Sequence, residues 1–216
     1  MRGWRAEISQ LASKVLVQYQ EHSGARGLEE LIPIKVSEIA DELYDLRVRY
    51  VSDMGNELSG CLDAEAKLVE INAGEPIVRR RFSLAHEIGH FLRHAKEGAA
   101  TVFHRCTSAV MEKLGDLKAE DLIGKVDYGE MKRRAEQAAI IQDLLLWEKE
   151  ANSFAADLLM PSELVITLAP KHRNSPGEMA KTFGVSVESM TWKMTRIRLI
   201  QGFSKQKLLP WNLVQE

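Results

Sequence analysis

The chain has 216 residues, 45% of them hydrophobic and 28% charged, and its 29 basic and 31 acidic side chains leave a formal net charge of −2. Such a composition supports an ordinary buried core, argues against disorder and provides no overall attraction for nucleic-acid phosphates, so any contact of that kind would be local. Two cysteines far apart in sequence (Cys61 and Cys106), no apolar run long enough to span a bilayer and a charged opening with Arg2, Arg5 and Glu7 predict a cytoplasmic protein with free thiols, no membrane span and no secretory leader.

In chain order, residues 5–21 place Ile8, Leu11, Ala12, Val15, Leu16 and Tyr19 at helical spacing, an amphipathic helix that Gly24 and Gly27 break. After Pro33 a short helix is expected, capped by Ser37 and carrying Ile39, Ala40 and Leu43 on one side. Leu46 to Val51 alternates apolar and charged residues, the pattern of a half-buried strand, and Asp53-Met54-Gly55-Asn56 ends it. Strand-like stretches at 58–62 and 67–71 follow, before the break at Asn72-Ala73-Gly74. A small, mostly antiparallel three-stranded sheet is therefore predicted ahead of the next helix.

That helix reads Arg81-Phe82-Ser83-Leu84-Ala85-His86-Glu87-Ile88-Gly89-His90-Phe91-Leu92, with Leu84, Ile88, Phe91 and Leu92 marking an apolar face. His86 and His90 lie one turn apart on one side, the H-E-x-x-H layout in which both imidazoles reach one Zn²⁺ at about 2.0–2.1 Å and Glu87 is left to take a proton from water. Gly89 costs up to about 1 kcal/mol against Ala in a helix, which suggests that another backbone or the metal site approaches closely there. His94 is eight residues beyond His86, about 12 Å along the axis, too far to share the ion; it reads as a supporting or structural residue.

Zinc that does chemistry needs a third protein ligand and keeps a fourth position open. A second periodic helix, 147–161, is stopped by Pro161, and Leu144, Trp147, Ala151, Phe154, Ala155, Leu158 and Leu159 share one sector of it. Glu148 falls inside the edge of that sector and Glu150 outside it. A carboxylate on a core-facing stripe needs a compensating charge, which a metal supplies, so Glu148 is favoured over Glu150. Between the two helices, 95–135 mixes charge with turn residues and reads as a lid over the cleft or, more simply, as a pair of surface helices. Beyond Pro161, residues 176–194 read as a helix, a glycine turn, a serine cap and a second helix, resembling a helix-turn-helix. The second helix carries Lys193, Arg196 and Arg198, but also a packing stripe of Val187, Met190, Met194 and Ile197; packing or protein docking is favoured over DNA reading. The basic run Arg79-Arg80-Arg81 reads first as a solvated or ion-pairing helix start, with substrate contact as its alternative.

The block Arg81 to His90, followed by Glu148-x-x-Ala151-Asn152-x-Phe154-Ala155-x-x-Leu158-Leu159-Met160-Pro161, resembles the ImmA/IrrE family of zinc metallo-endopeptidases. The resemblance implies a zincin-like α+β fold, with residues 1–165 as the metallopeptidase domain and 166–216 as a C-terminal helical extension packed on it. It implies a gluzincin-like Zn²⁺ site in which His86, His90 and Glu148 are ligands and Glu87 is the general base. It also implies a substrate, a helix-turn-helix transcriptional repressor of a bacterium or its mobile element, held as an extended strand at a sheet edge beside the metal. The spacer from His90 to Glu148 is longer than the family pattern leads one to expect, which keeps Glu150 open as the third ligand. His94, His104, Tyr128 and His172 are candidates for stabilising the oxyanion, and Asp157 for holding a ligand imidazole in its tautomer. A different class of answer is a non-proteolytic zinc-binding regulator or toxin–antitoxin component acting through protein or DNA binding; a weaker one is a zinc hydrolase acting on something other than protein. Glu87 discriminates against the first, because a purely structural site needs no base.

Overall fold

The computed structural model describes residues 3–54, 58–95, 102–106 and 145–201. Helix α1 (Gly3–Ser23) buries Ile8, Ala12, Val15, Leu16 and Tyr19, the face its spacing predicts. It ends where Gly24 takes φ +70°, a left-handed position that only glycine occupies without steric cost. A 3₁₀ turn (Leu28–Leu31) leads to α2 (Val36–Glu38), which continues as a π turn over Ile39–Leu43. Lys35, not Ser37, stands at the N-cap position, and no side chain caps it. Ile34 and Val36 are both in the core, and their burial starts the helix two residues earlier than the serine signal suggests.

Among the described residues four strands form one sheet, β1 (Arg47–Val51), β2 (Leu58–Asp63), β3 (Leu68–Asn72) and β4 (Val102–Cys106), in the order β1-β3-β2-β4. β2 and β3 make an antiparallel hairpin with Leu62 opposite Val69. β4 pairs antiparallel with the other side of β2, setting His104 opposite Cys61, and β1 runs parallel to β3 with Val48 opposite Val69. The sheet is mostly antiparallel, as expected, but it has a fourth strand. β4 comes from the stretch read above as a lid or surface helices; its identity as a strand depends on the open edge of β2, a partner some forty residues upstream.

Helix α3 (Ile77–Arg93) packs across β2 and β3, whose Leu62, Val69 and Ile71 are fully buried. Every residue from Phe82 to His90 is buried, more than one apolar stripe predicts. The reason is α4, helical over 145–159, which covers the side of α3 away from the sheet. The two cross closely at Gly89, where a Cβ would stand 3.0 Å from Phe154 Cδ1 and 3.2 Å from Ala151 Cα. The close neighbour that Gly89 suggested is thus another helix.

Pro161 precedes α5 (Ser162–Leu168), a 3₁₀ turn (Pro170–His172), α6 (Pro176–Phe183) and α7 (Val187–Arg196). Ser175 Oγ accepts from Glu178 N at the start of α6, Gly184 turns the chain at φ +64°, and Ser186 Oγ accepts from Ser189 N at the start of α7. Met190 and Met194 are buried, whereas Val187 is exposed. Lys193 does not face solvent: it is 1% exposed and donates to Asp157 Oδ1 at 2.6 Å, so α7 is tied to α4 through the core. The basic run divides by role. Arg81 donates to the carbonyls of Ile34, Phe183 and Gly184 at 2.8–3.4 Å, Arg79 pairs with Glu75, and the Arg80 guanidinium lies over the Tyr50 ring. One hydrophobic cluster runs from Ile8 to Met194. No described helix is long and apolar enough to cross a membrane.

Candidate metal centre

Three donors from two helices converge where α3 meets α4. His86 Nε2 and His90 Nε2 lie 3.0 Å apart; the Glu148 carboxylate spans both, Oε1 3.1 Å from His90 Nε2 and Oε2 3.3 Å from His86 Nε2. Among the described residues these three form a group whose donor atoms all lie within 4.8 Å of one another. In a tetrahedral site with bonds of about 2.0–2.1 Å, ligand atoms are about 3.3 Å apart. The observed spacings match that edge length closely. Two imidazole nitrogens and a carboxylate are also the borderline donor set that zinc accepts.

The electrostatics agree with a cation at this point. Burial alone would raise the pKa of the Glu148 carboxyl, but the charge of His86 and the Nε2–H groups of His86 and His90 outweigh it and hold the group well below the usual carboxylate range; a bound metal ion would take the place of those protons. Behind the rings, His86 Nδ1 is 3.0 Å from Asn152 Oδ1. A carbonyl oxygen only accepts, so His86 Nδ1 donates and Nε2 is the nitrogen that would give its lone pair to a metal. His90 Nδ1 is 3.0 Å from His94 Nδ1, and His94 Nε2 is 2.9 Å from Glu150 Oε2. Burial holds the His94 imidazole below its ordinary range despite the opposing hydrogen bond to Glu150.

Glu87 is fully buried, and its Oε1 lies over β2 at Gly60, where a Cβ would come within 3.0 Å of it. A strand glycine here makes room for a carboxylate. The adjacent Cys61 thiol is pushed up to about 11 by burial, helped by the charges of Glu87, Glu70 and Asp63.

Glu148 is in the donor group and Glu150 is not. Glu150 is nevertheless the more buried of the two side chains, bonded to His94 and, at 3.3 Å, to Arg93 Nε; the reading that placed it on the outer face is corrected by this contact with the end of α3. Asp157 holds Lys193 and no ligand ring; Asn152, one turn beyond Glu148, takes that part for His86. Its signal was present in the sequence as an i, i+4 neighbour of the carboxylate. Of the oxyanion candidates, His94 lies behind His90, His172 sits on the 3₁₀ turn after α5, and His104 belongs to β4 opposite Cys61. Tyr128 lies outside the described residues.

Residues 33–114 and 142–195 match the model of a peptidase family described as the IrrE N-terminal-like domain. No curated protein matches the chain. Among solved structures, a Mycobacterium tuberculosis transcriptional regulator is similar, with a TM-score of 0.53 at 15% identity over 88% of this chain and 46% of that one. The chain thus spans about half the length of that protein, and the likeness is one of fold.

Proposed function

Because the chain belongs to the peptidase family of the IrrE N-terminal-like domain, we propose that it is a zinc-dependent endopeptidase that cuts a helix-turn-helix transcriptional repressor. The observation that carries the reading is the convergence of His86, His90 and Glu148 to within 3.0–3.3 Å, with Glu87 on the helix that carries both histidines. Zinc, when bound, supplies Lewis acidity toward the scissile carbonyl and toward water. With Nδ1 turned to Asn152 and to His94, His86 and His90 would offer their Nε2 atoms to the ion, and Glu148 would supply the negative charge of the ligand set. Glu87 accepts the proton of the attacking water and returns it to the leaving amine. Its burial over Gly60 excludes bulk water from that carboxylate.

A cleft of this kind grips backbone that is extended and unpaired, so the cut falls in a linker or a frayed helix end of the repressor. The fold likeness to a transcriptional regulator is compatible with a role in gene control. The test is to co-express the repressor encoded beside this chain with wild-type protein or Glu87→Gln and to follow repressor mass by mass spectrometry. One discrete cut with wild type and none with Glu87→Gln, at equal zinc content, is the expected result. An intact repressor in both cases, with zinc bound, supports instead a non-proteolytic regulator.

A further inference from the structure

We infer that His94 and Glu150 form a relay that accepts the Nδ1–H of His90, turns its Nε2 to the metal position and thereby sets the metal affinity of the centre. The inference rests on the ligand assignment proposed above. Its logic starts at the far end. The Glu150 carboxylate can only accept, so the proton in its 2.9 Å contact with His94 sits on His94 Nε2. A neutral imidazole protonated at Nε2 has an acceptor at Nδ1, and that atom is 3.0 Å from His90 Nδ1. His90 Nδ1 is therefore the donor, and Nε2 is the nitrogen whose lone pair a metal ion would take. That is the nitrogen that meets His86 Nε2 and Glu148 Oε1.

The surroundings hold each link in place. Trp147 stacks on the His94 ring with centroids 5.1 Å apart and planes 22° apart. Arg93 Nε donates to the same Glu150 oxygen at 3.3 Å, and its Nη2 reaches Glu7 of α1. His94 is 2% exposed and Glu150 4%, so water competes weakly for these bonds. Packing alone does not require them: an apolar pair of similar volume would join α3 to α4 at least as well as a buried polar one. What an apolar pair lacks is a preference for one end of the His90 ring. The two ligand rings are thus oriented by different devices, a neutral amide behind His86 and a carboxylate-backed imidazole behind His90. The second polarises its ring more strongly.

His94 and Glu150 are positioning residues, and the experiment reads position before activity. Long-range ¹H–¹⁵N correlation of the histidine rings in zinc-loaded protein reports the hydrogen bond made by His90 Nδ1–H. Titration with Zn²⁺ against a chromophoric chelator reports affinity. In wild type the His90 Nδ1 proton resonates far downfield and exchanges slowly with solvent. In His94→Phe, which keeps a ring against Trp147, and in Glu150→Leu, that resonance moves upfield and zinc binding weakens about 10–100-fold. Glu150→Gln, whose amide oxygen still accepts from His94, recovers most of both. An unchanged His90 Nδ1–H resonance and zinc affinity in His94→Phe would overturn the relay even if Glu150→Leu does not fold. Zinc binding that survives His86→Ala would instead overturn the ligand assignment.

Discussion

Glu148 and Glu150 are two residues apart on one helix and meet different neighbours, because about 200° of rotation separates them. One faces the ligand rings; the other faces His94 and Arg93. Replacing each by alanine therefore separates the proposed ligand from its proposed support. Glu148→Ala is expected to weaken zinc binding by about tenfold or more beyond the loss in Glu150→Ala, in a chelator-competition titration. Equal losses would remove Glu148 from the ligand set. Cys61 gives a second residue-scale prediction. Its thiol, held near 11 by burial and by the charges of Glu87, Glu70 and Asp63, should react with iodoacetamide at neutral pH on the order of 100-fold more slowly than an ordinary thiol. The rate should climb with pH, and Glu87→Gln should raise it. A Cys61 alkylation rate equal to that of a free thiol would contradict the burial described here.

At the scale of elements, two glycines set the distances across which the site is built. Gly89→Ala gains about 1 kcal/mol of helix propensity but drives a methyl to within 3.0 Å of Phe154 Cδ1 and 3.2 Å of the Ala151 Cα. Overpacking of that kind costs about 1–3 kcal/mol, and the Ala151 backbone has little freedom to move aside, so the net effect is destabilising. Urea unfolding should show a lower midpoint, and α3 and α4 should hold zinc less tightly; a raised midpoint would refute the close crossing. Gly60→Ala acts elsewhere. Its methyl would press on Glu87 Oε1 at 3.0 Å and on Ile71 Cδ1 at 3.2 Å, so peptide hydrolysis should fall while zinc content stays at the wild-type level. Loss of zinc together with activity would mean that the strand, not the carboxylate, had moved.

For the molecule as a whole, the buried Lys193–Asp157 pair joins α7 to α4. Removing one partner of a buried pair costs about 3–5 kcal/mol, so Lys193→Met should unfold at markedly lower denaturant, and Lys193→Met with Asp157→Leu should recover much of the loss. Burial, outweighing the charge of and hydrogen bond to Asp157, places the Lys193 pKa below its ordinary value. In the interval between that lowered value and about 10.4 the unfolded chain binds more protons at this site, so the contribution of Lys193 to stability is fullest above the interval and is lost as pH falls through it. Wild-type stability should therefore rise with pH relative to Lys193→Met in that range. A gap that narrows instead would place the folded pKa above the unfolded one.

The sequence by itself determined what depends on local spacing. The apolar periods of α1, α3 and α4, the serine caps and glycine turn of α6 and α7, and the first three strands all follow from side-chain intervals of about 3.6 or 2 residues along one segment. The one-turn interval from His86 to His90, with Glu87 beside the first, belongs to the same class. Only the tertiary structure decided what depends on a second segment. β4 is a strand because β2 has an edge to pair with, and α2 starts before Ser37 because Ile34 and Val36 are held in the core. Glu150 is buried because the end of α3 covers a face of α4 that its apolar pattern marks as outer, and Lys193 turns inward because Asp157 waits across the core. A periodic pattern shows which side of an element is apolar; whether a polar side chain on another face meets solvent or a partner is settled by the elements packed against it, and those contacts carry no local signature.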